Sequence, residues 1–512
     1  MTFRAIDLLL AAASGLLLAL SVPGVGVSAL AWIALAPLLL ALARPFASPM
    51  DRRVGWAFRL GLATGVVYFA GTLYWVGGVM TLYGGISPLA AWPVAAALVA
   101  YLALFPAAFA AIQHRLLAAY GPLALLAAPF VWVATELART HLFGGFPWVL
   151  VGYSQTTVLP VAQLASVVGV YGLSALVIAG SVAVVVTVLP EAGRGRFAAV
   201  GATLGVVAAV VVWGQARVSG GGLTTVGDRV RVGVVQGNVD QAEKWDPTRA
   251  GSIFDEYLRL TERAIDEGAR LVLWPESSTP FSFGEDPAGA ERVRALARAT
   301  GTTLLIGSNE VVAGSPPRWY NAAYQIRPDG EVGGIYRKIH LVPFGEYVPL
   351  KRLLFFAAPL VEAVSDFSPG DEAVVFESGG HRFSTAICYE IVYPSLVRRF
   401  VGGGSELLTT ITNDAWFGRS GAPYQHFEQA SMRAIEEGRY LVRAANTGIS
   451  GIVDPYGRVV ARSDLFETAV LTAEVRYIDL RTVYARIGDL FAYVSVVLTG
   501  ALFVAIPRLR ST

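Results

Sequence analysis

The stretch STAICYEI at residues 384–391 is an apolar run that ends on a thiol, and Cys388 is the single cysteine in 512 residues. A short run rich in β-branched and small residues reads as a buried strand, predicted over 382–389, and it delivers the thiol to the strand's end. Two other runs end in the same way. LVLWPE, 271–276, closes on Glu276, and YRKIHLVPFGEY, 336–347, carries Lys338. Strand ends are where an α/β sheet presents reactive groups. A thiol with an ordinary pKa near 8.5 needs a base or a positive neighbour to attack at neutral pH. A glutamate can take its proton, and an ammonium, helped by a backbone N–H next to the nucleophile, can hold the oxyanion of a tetrahedral intermediate. With no histidine nearby in sequence, Glu276 is the expected base.

Each of these residues has a duller account. A lone cysteine in an apolar strand is commonly an inert core residue, a carboxylate after a proline a turn or cap, and a hairpin lysine a solvated charge. One cysteine also excludes an intramolecular disulfide. The three together, in this order, favour chemistry.

Outward from these runs, residues 226–477 alternate short β-branched runs with charged amphipathic stretches, the texture of a soluble α/β domain. Strands are predicted at 229–239, 269–274, 302–308, 382–389 and 406–412, and helices at 255–266, 289–300 and 425–440. Hairpins are expected to turn at Arg327-Pro328-Asp329-Gly330 and at Asp454-Pro455-Tyr456-Gly457.

Residues 1–219 read differently. The chain is 54% hydrophobic and only 15% charged, where soluble proteins carry about 25% charged residues. Apolar runs near the ~20 residues of a bilayer span recur at about 5–22, 27–43, 56–79, 88–112, 121–141, 163–189 and 197–216, and an eighth lies at 487–506 before a tail at 507–512. Arg4, then Arg44, Arg52 and Arg53, then Arg115, then Arg194 and Arg196, then Arg508 and Arg510 occupy every second connection. Those connections and both termini are therefore expected in the cytoplasm, and 226–477 on the extracytoplasmic face. The first run is expected to stay as a span, because the small-residue site Ser28-Ala29-Leu30-Ala31 lies inside the second run and the n-region is weak. Net charge is +2 with no basic patch, which excludes nucleic acid as a partner. Glu136 and Arg139, one turn apart near the end of a span, are functional candidates or partners of each other. The apolar stretch 350–363 is expected to dip into a membrane surface or to pack on its own domain. His114, His381 and His426 have no metal-ligand spacing and read as structural.

The segments Trp274-Pro275-Glu276-Ser277, Tyr336-Arg337-Lys338 and Cys388-Tyr389-Glu390 resemble the nitrilase superfamily, with its Glu-Lys-Cys triad on an αββα sandwich. Among its branches the chain looks most like the apolipoprotein N-acyltransferases, a likeness that covers nearly the whole chain. Gln236-Gly237-Asn238 with Lys244-Trp245-Asp246-Pro247, HLVPFGEYVP at 340–349, Thr412-Asn413-Asp414-Ala415-Trp416-Phe417 and Ala445-Asn446-Thr447-Gly448 fit that branch. The resemblance implies a polytopic α-helical membrane domain of seven spans plus one, with an inserted extracytoplasmic nitrilase-like sandwich, in a bacterial inner membrane. It makes Glu276 the general base, Lys338 the oxyanion stabiliser and Cys388 the carrier of an acyl thioester. Glu346 becomes an accessory carboxylate that positions the lysine or its loop, and Tyr389 and Glu390 become supports. Trp245, Trp416, Phe417 and Asn413 are the expected substrate-binding residues, with core filling the open alternative for the two tryptophans. No metal or cofactor is implied.

The implied reaction moves an acyl chain from a membrane phospholipid, by ping-pong order, to the α-amino group of the diacylglyceryl cysteine that begins an apolipoprotein. Taking a sixteen-carbon chain from bilayer into water costs roughly 12 kcal/mol at about 0.8 kcal/mol per methylene, so the thiol is expected near the membrane surface. A membrane-tethered amidase would use the same triad with water as acceptor, and a transporter with an inert nitrilase-like sensor would need none of it.

Overall fold

A computed structural model describes residues 3–43, 50–82, 87–189, 193–241, 243–244, 246–343, 345–347 and 367–506. Trp245, the whole stretch 350–363 with its flanks, and the tail 507–512 lie outside the described residues. The chain divides into two compact units, Met1–Gly78 with Pro88–Gly220 and Arg486–Thr512, and Val79–Ser87 with Gly221–Ala485.

In the first unit the apolar runs are helical, the one local structure that satisfies every backbone group without water. Among the described residues, six helices are long and apolar enough to cross a membrane, and two shorter apolar helices, Ser28–Ala43 and Leu490–Val504, fall on the runs expected at 27–43 and 487–506. The run expected at 56–79 is broken into Met50–Thr72 and Trp75–Leu82. The helix Pro88–Tyr120 is 33 residues long and outlasts the expected 88–112. Its polar Gln113 stays inside because the side-chain amide donates to the Ala124 carbonyl at 2.8 Å, and Gly121, at φ 75°, ends the run. Small residues let helices touch backbone to backbone. A Cβ at Gly61 would lie 2.2 Å from the Pro106 carbonyl oxygen, and one at Gly65 2.6 Å from the Ala103 Cα.

Glu136 and Arg139 are both buried on the helix Ala128–His141. The Glu136 carboxylate accepts from the Val151 amide at 2.9 Å. The Arg139 guanidinium donates to the Phe146 and Trp148 carbonyls at 3.2 and 2.7 Å and lies 5.2 Å over the Phe69 ring. Both therefore hold the irregular backbone that follows their helix, where unmet polar groups would be costly in an apolar setting.

The second unit holds two six-stranded sheets. In chain order the strands are β1 Arg229–Gln236, β2 Leu271–Leu273, β3 Thr303–Val312, β4 Arg318–Ile326, β5 Val332–Arg337, β6 Phe376–Ser378, β7 His381–Ile387, β8 Leu407–Thr412, β9 Leu441–Ala445, β10 Gly451–Val453, β11 Val459–Arg462 and β12 Ala469–Arg476. The orders are β12-β1-β2-β3-β4-β5 and β11-β10-β9-β8-β7-β6. Each sheet has a parallel centre, β1-β2-β3 and β7-β8-β9, with antiparallel strands outside it. Parallel strands buried on both faces read as continuous apolar runs, and β2, β8 and β9 are buried at every residue. The sheets face each other, β1 on β9 and β4 on β7.

The helices Ala250–Asp266 and Pro287–Thr300 cover the first sheet and bury Phe254, Tyr257, Leu260 and Val293 against Val272, Trp274, Leu304 and Ile306. The Trp274 indole N–H donates to the Thr261 hydroxyl at 2.7 Å, so the largest ring of this core leaves no polar atom unmet. Ala422–Glu437 packs on β9 of the second sheet, with Pro394–Gly402 beside it. The helix ends at Gly438, which supplies the left-handed turn (φ 64°) of a glycine cap. This is a two-sheet sandwich with helices outside, the layering that the resemblance implies.

Candidate active site

The sheet topology brings the three strand ends together. Glu276 follows β2, Lys338 follows β5 and Cys388 follows β7. All three are buried, at 6%, 1% and 8% exposure, so their interactions are not diluted by water.

Lys338 sits between two carboxylates. Its Nζ donates to Glu276 Oε1 at 3.2 Å and to Glu346 Oε1 at 2.9 Å. Asn321, on β4, matches it with one side-chain amide nitrogen, which reaches the same two oxygens at 2.7 and 2.8 Å. The remaining oxygens are held by backbone: Glu276 Oε2 accepts from the Asn413 amide at 2.9 Å, and Glu346 Oε2 from the Val342 amide at 2.8 Å. Burial alone would raise the Glu276 pKa, but Lys338, Asn321 and Lys244 outweigh it and hold the carboxyl below the usual range. Burial works against the Lys338 ammonium, yet Glu276 and Glu346 keep it well above the ordinary lysine value. Glu276 is thus a carboxylate and Lys338 an ammonium at neutral pH.

Cys388 has φ 54°, the left-handed region in which a non-glycine residue is strained. It opens the short 3-10 turn Cys388–Val392 straight after β7. Burial and the Glu276 carboxylate push the thiol pKa up, with Lys338 opposing and the Thr412 side chain hydrogen-bonding the group. The thiol is thus held toward its neutral form near a carboxylate.

Glu390, predicted as a support, takes four donors. Oε1 accepts from the Tyr336 hydroxyl at 2.8 Å and from the Ile339 and His340 amides at 2.6 and 3.0 Å, and Oε2 accepts from the Ile387 amide at 2.8 Å. It ties the Lys338 loop to the turn that carries Cys388. Burial lifts its pKa to about 7. Tyr389 is buried with its ring edge-on to Tyr393 at 5.3 Å, and His340 stacks on Tyr393 at 4.3 Å.

The residues expected to bind substrate divide. Trp416 and Phe417 are half-buried in the turn Asp414–Phe417 rather than filling the core. The Asn413 side chain is engaged within the protein: it donates to Gln241 at 2.7 Å and accepts from Asn446 at 3.1 Å. The segments Gln236-Gly237-Asn238 and Ala445-Asn446-Thr447-Gly448 join the two sheets. The Asn238 amide donates to the Asn446 carbonyl at 3.0 Å, and Gln236 Oε1 accepts from the Ser463 hydroxyl at 2.9 Å.

Two polar residues at the site have no role assigned from the sequence. Asn321 lies in an ordinary-looking strand, RWYNAAYQI, and its one signal is an amide amid apolar neighbours. Lys244 belongs to the quoted segment Lys244-Trp245-Asp246-Pro247 but carries no assigned role; its Nζ donates to the Glu276 carbonyl at 3.2 Å, and burial lowers its pKa to about 8. Among the described residues no group of three His, Cys, Asp or Glu side chains has the geometry to hold a metal.

Residues 14–183 match the family described as the apolipoprotein N-acyltransferase N-terminal domain, and residues 231–485 match the carbon-nitrogen hydrolases. An apolipoprotein N-acyltransferase of Geobacter metallireducens is 42% identical over 510 residues, covering 98% of this chain and 95% of that one. One from Methylococcus capsulatus is 36% identical over 438 residues, covering 84% and 83% of the two chains. Among solved structures, an amidase of the nitrilase superfamily from Nesterenkonia aligns with 21% identity and a TM-score of 0.41, over 52% of this chain and 97% of its own.

Proposed function

The chain belongs to the apolipoprotein N-acyltransferase family, and from that premise we propose that it acylates lipoproteins through a thioester on Cys388. It is a multi-pass membrane enzyme whose substrates are lipids and lipoproteins, and membership in this family sets the amidase alternative aside. The observation that carries the assignment of residues is the buried set of Glu276, Lys338, Glu346 and Asn321, hydrogen-bonded to one another at the strand ends that also present Cys388.

In the first half-reaction the Cys388 thiol gives its proton to Glu276 as sulfur attacks the ester carbonyl of a phospholipid. The Lys338 ammonium holds the oxyanion. Collapse expels the lysophospholipid alkoxide, which takes the proton back from Glu276, and the acyl chain stays on sulfur. In the second, the α-amino group of the diacylglyceryl cysteine attacks the thioester and its proton passes to Glu276. The thiolate leaves and is reprotonated, and the amide departs. One base serves both steps, and the headgroup leaves before the second lipid enters, which is ping-pong order. Glu346, sharing Lys338 with Glu276, keeps the ammonium in place. The spacing of arginines along residues 1–219 supports seven spans plus one, with cytoplasmic termini and the catalytic unit outside.

Replacing Glu276 by Gln is expected to lower the rate of Cys388 acylation by about 10²–10⁴-fold, measured by quenched-flow mass analysis. An undiminished rate would remove Glu276 from the role of base.

A further inference from the structure

Behind Cys388 lies a second polar cluster that the reaction as written does not use. Asp414, His426 and Arg443 are all buried, at 1%, 0% and 0% exposure. Asp414 Oδ2 accepts from Arg443 Nη2 at 2.7 Å, and Asp414 Oδ1 accepts from the Thr412 hydroxyl at 2.8 Å. His426 Nδ1 lies 3.0 Å from both Asp414 Oδ1 and Arg443 Nη2. The other ring nitrogen, Nε2, lies 3.1 Å from the carbonyl oxygen of Cys388. A carbonyl can only accept, so Nε2 carries a hydrogen whichever way Nδ1 is protonated. Burial would raise the Asp414 pKa, but Arg443 and the contacts with His426 and Thr412 outweigh it and hold the group well below its ordinary value. Asp414 packs directly on Gly448, where a Cβ would come within 2.5 Å of its side chain.

The cluster also touches the base. Asn413, next to Asp414, gives its backbone N–H to Glu276 Oε2 at 2.9 Å. One turn of chain therefore binds the carboxylate through a peptide and the nucleophile's carbonyl through a histidine.

We infer that the Asp414–His426–Arg443 cluster is a positioning device: it clamps the Cys388 carbonyl, fixes the left-handed backbone that aims the thiol, and sets that thiol against the peptide that holds Glu276. His426 touches no reacting atom and acts through the main chain of Cys388. Loss of that donor is expected to loosen the backbone at Cys388, and misplacing a reacting group by about 1 Å costs ~10²-fold in rate.

The inference rests on the reading of Cys388 as nucleophile, so its test has a readout that needs no lipid. Glutamine places an amide N–H near the position of Nε2, whereas asparagine reaches only the position of Nδ1. His426→Gln therefore keeps the donor to Cys388, and His426→Asn keeps the contact with Asp414 and Arg443 and loses that donor. Cys388 is the sole cysteine, so its alkylation by iodoacetamide in the purified full chain reports thiol reactivity directly. His426→Gln is expected to react at close to the wild-type rate and His426→Asn about 10²-fold more slowly, at matched thermal stability. Acylation by a phosphatidylethanolamine vesicle should follow the same ranking. Equal alkylation rates in the two variants, or a loss that merely follows the fall in Tm, would overturn the inference. An absent lipid adduct on wild type, with the alkylation ranking intact, would count against the phospholipid donor and leave the positioning role standing.

Discussion

Asn321 spends one amide nitrogen on two carboxylates, and this is the least redundant contact of the site. Without it, Glu276 and Glu346 would share a single ammonium, and Glu276 would lose a contributor to its lowered pKa. The active form needs Glu276 ionised. A carboxyl with a depressed pKa stays active as pH falls, and one released toward its ordinary value loses its charge at higher pH. Asn321→Ala is therefore expected to move the acid limb of kcat/KM upward in pH. It should also lower kcat/KM at its plateau by about 10–10²-fold, the worth of a hydrogen bond to a charged group at ~1.5–3 kcal/mol. A pH profile whose acid limb stays in place would contradict this account of Glu276. Glu276, Lys338 and Cys388 stand out in the sequence because each is a reactive side chain at the end of, or within, an apolar run, whereas Glu346 and Glu390 enter only through the family resemblance. Asn321 does not stand out, because a buried amide in a strand looks like any other polar position until its partners are known. His426 reads as structural for want of a metal-ligand spacing, and the partner that gives it a place at the site is the carbonyl of a residue 38 positions away.

At the scale of elements, runs with one clear period were readable and edges were not. The helix Ala250–Asp266 begins five residues before the expected 255, after a turn in which Asp246 accepts from the Thr248 amide at 2.8 Å. The strand expected at 302–308 runs from Thr303 to Val312, because β4 offers it nine paired residues. β9 was missed since LVRAA follows the helix Ala422–Glu437 after only three residues and shares its apolar texture. β12 was missed for the opposite reason. AVLTAEVR is a half-exposed outer strand with charges at Glu474 and Arg476, and its strand character comes from pairing with β1 along all eight residues. In the first unit, glycines inside the apolar runs, such as Gly61 and Gly65, are contact points between helices.

For the whole molecule, the sequence resolved two textures, and the structure has two units. What composition cannot carry is direction across the bilayer, for which the arginine pattern is the sole guide. Placing a cysteine at the exposed turn residue Glu331 in a Cys388→Ser background tests it. Glu331→Cys is expected to react with a membrane-impermeant maleimide added outside intact spheroplasts, and reaction only after lysis would reverse the topology. The central claim, a lipid-derived thioester at one thiol, is tested most directly by intact-mass spectrometry of the purified protein incubated with a phospholipid of known acyl composition, beside Cys388→Ser. The account predicts one added acyl mass on wild type, removed by hydroxylamine, and none on the variant; an unmodified wild type with its fold intact, or an adduct that survives on Cys388→Ser, would contradict it.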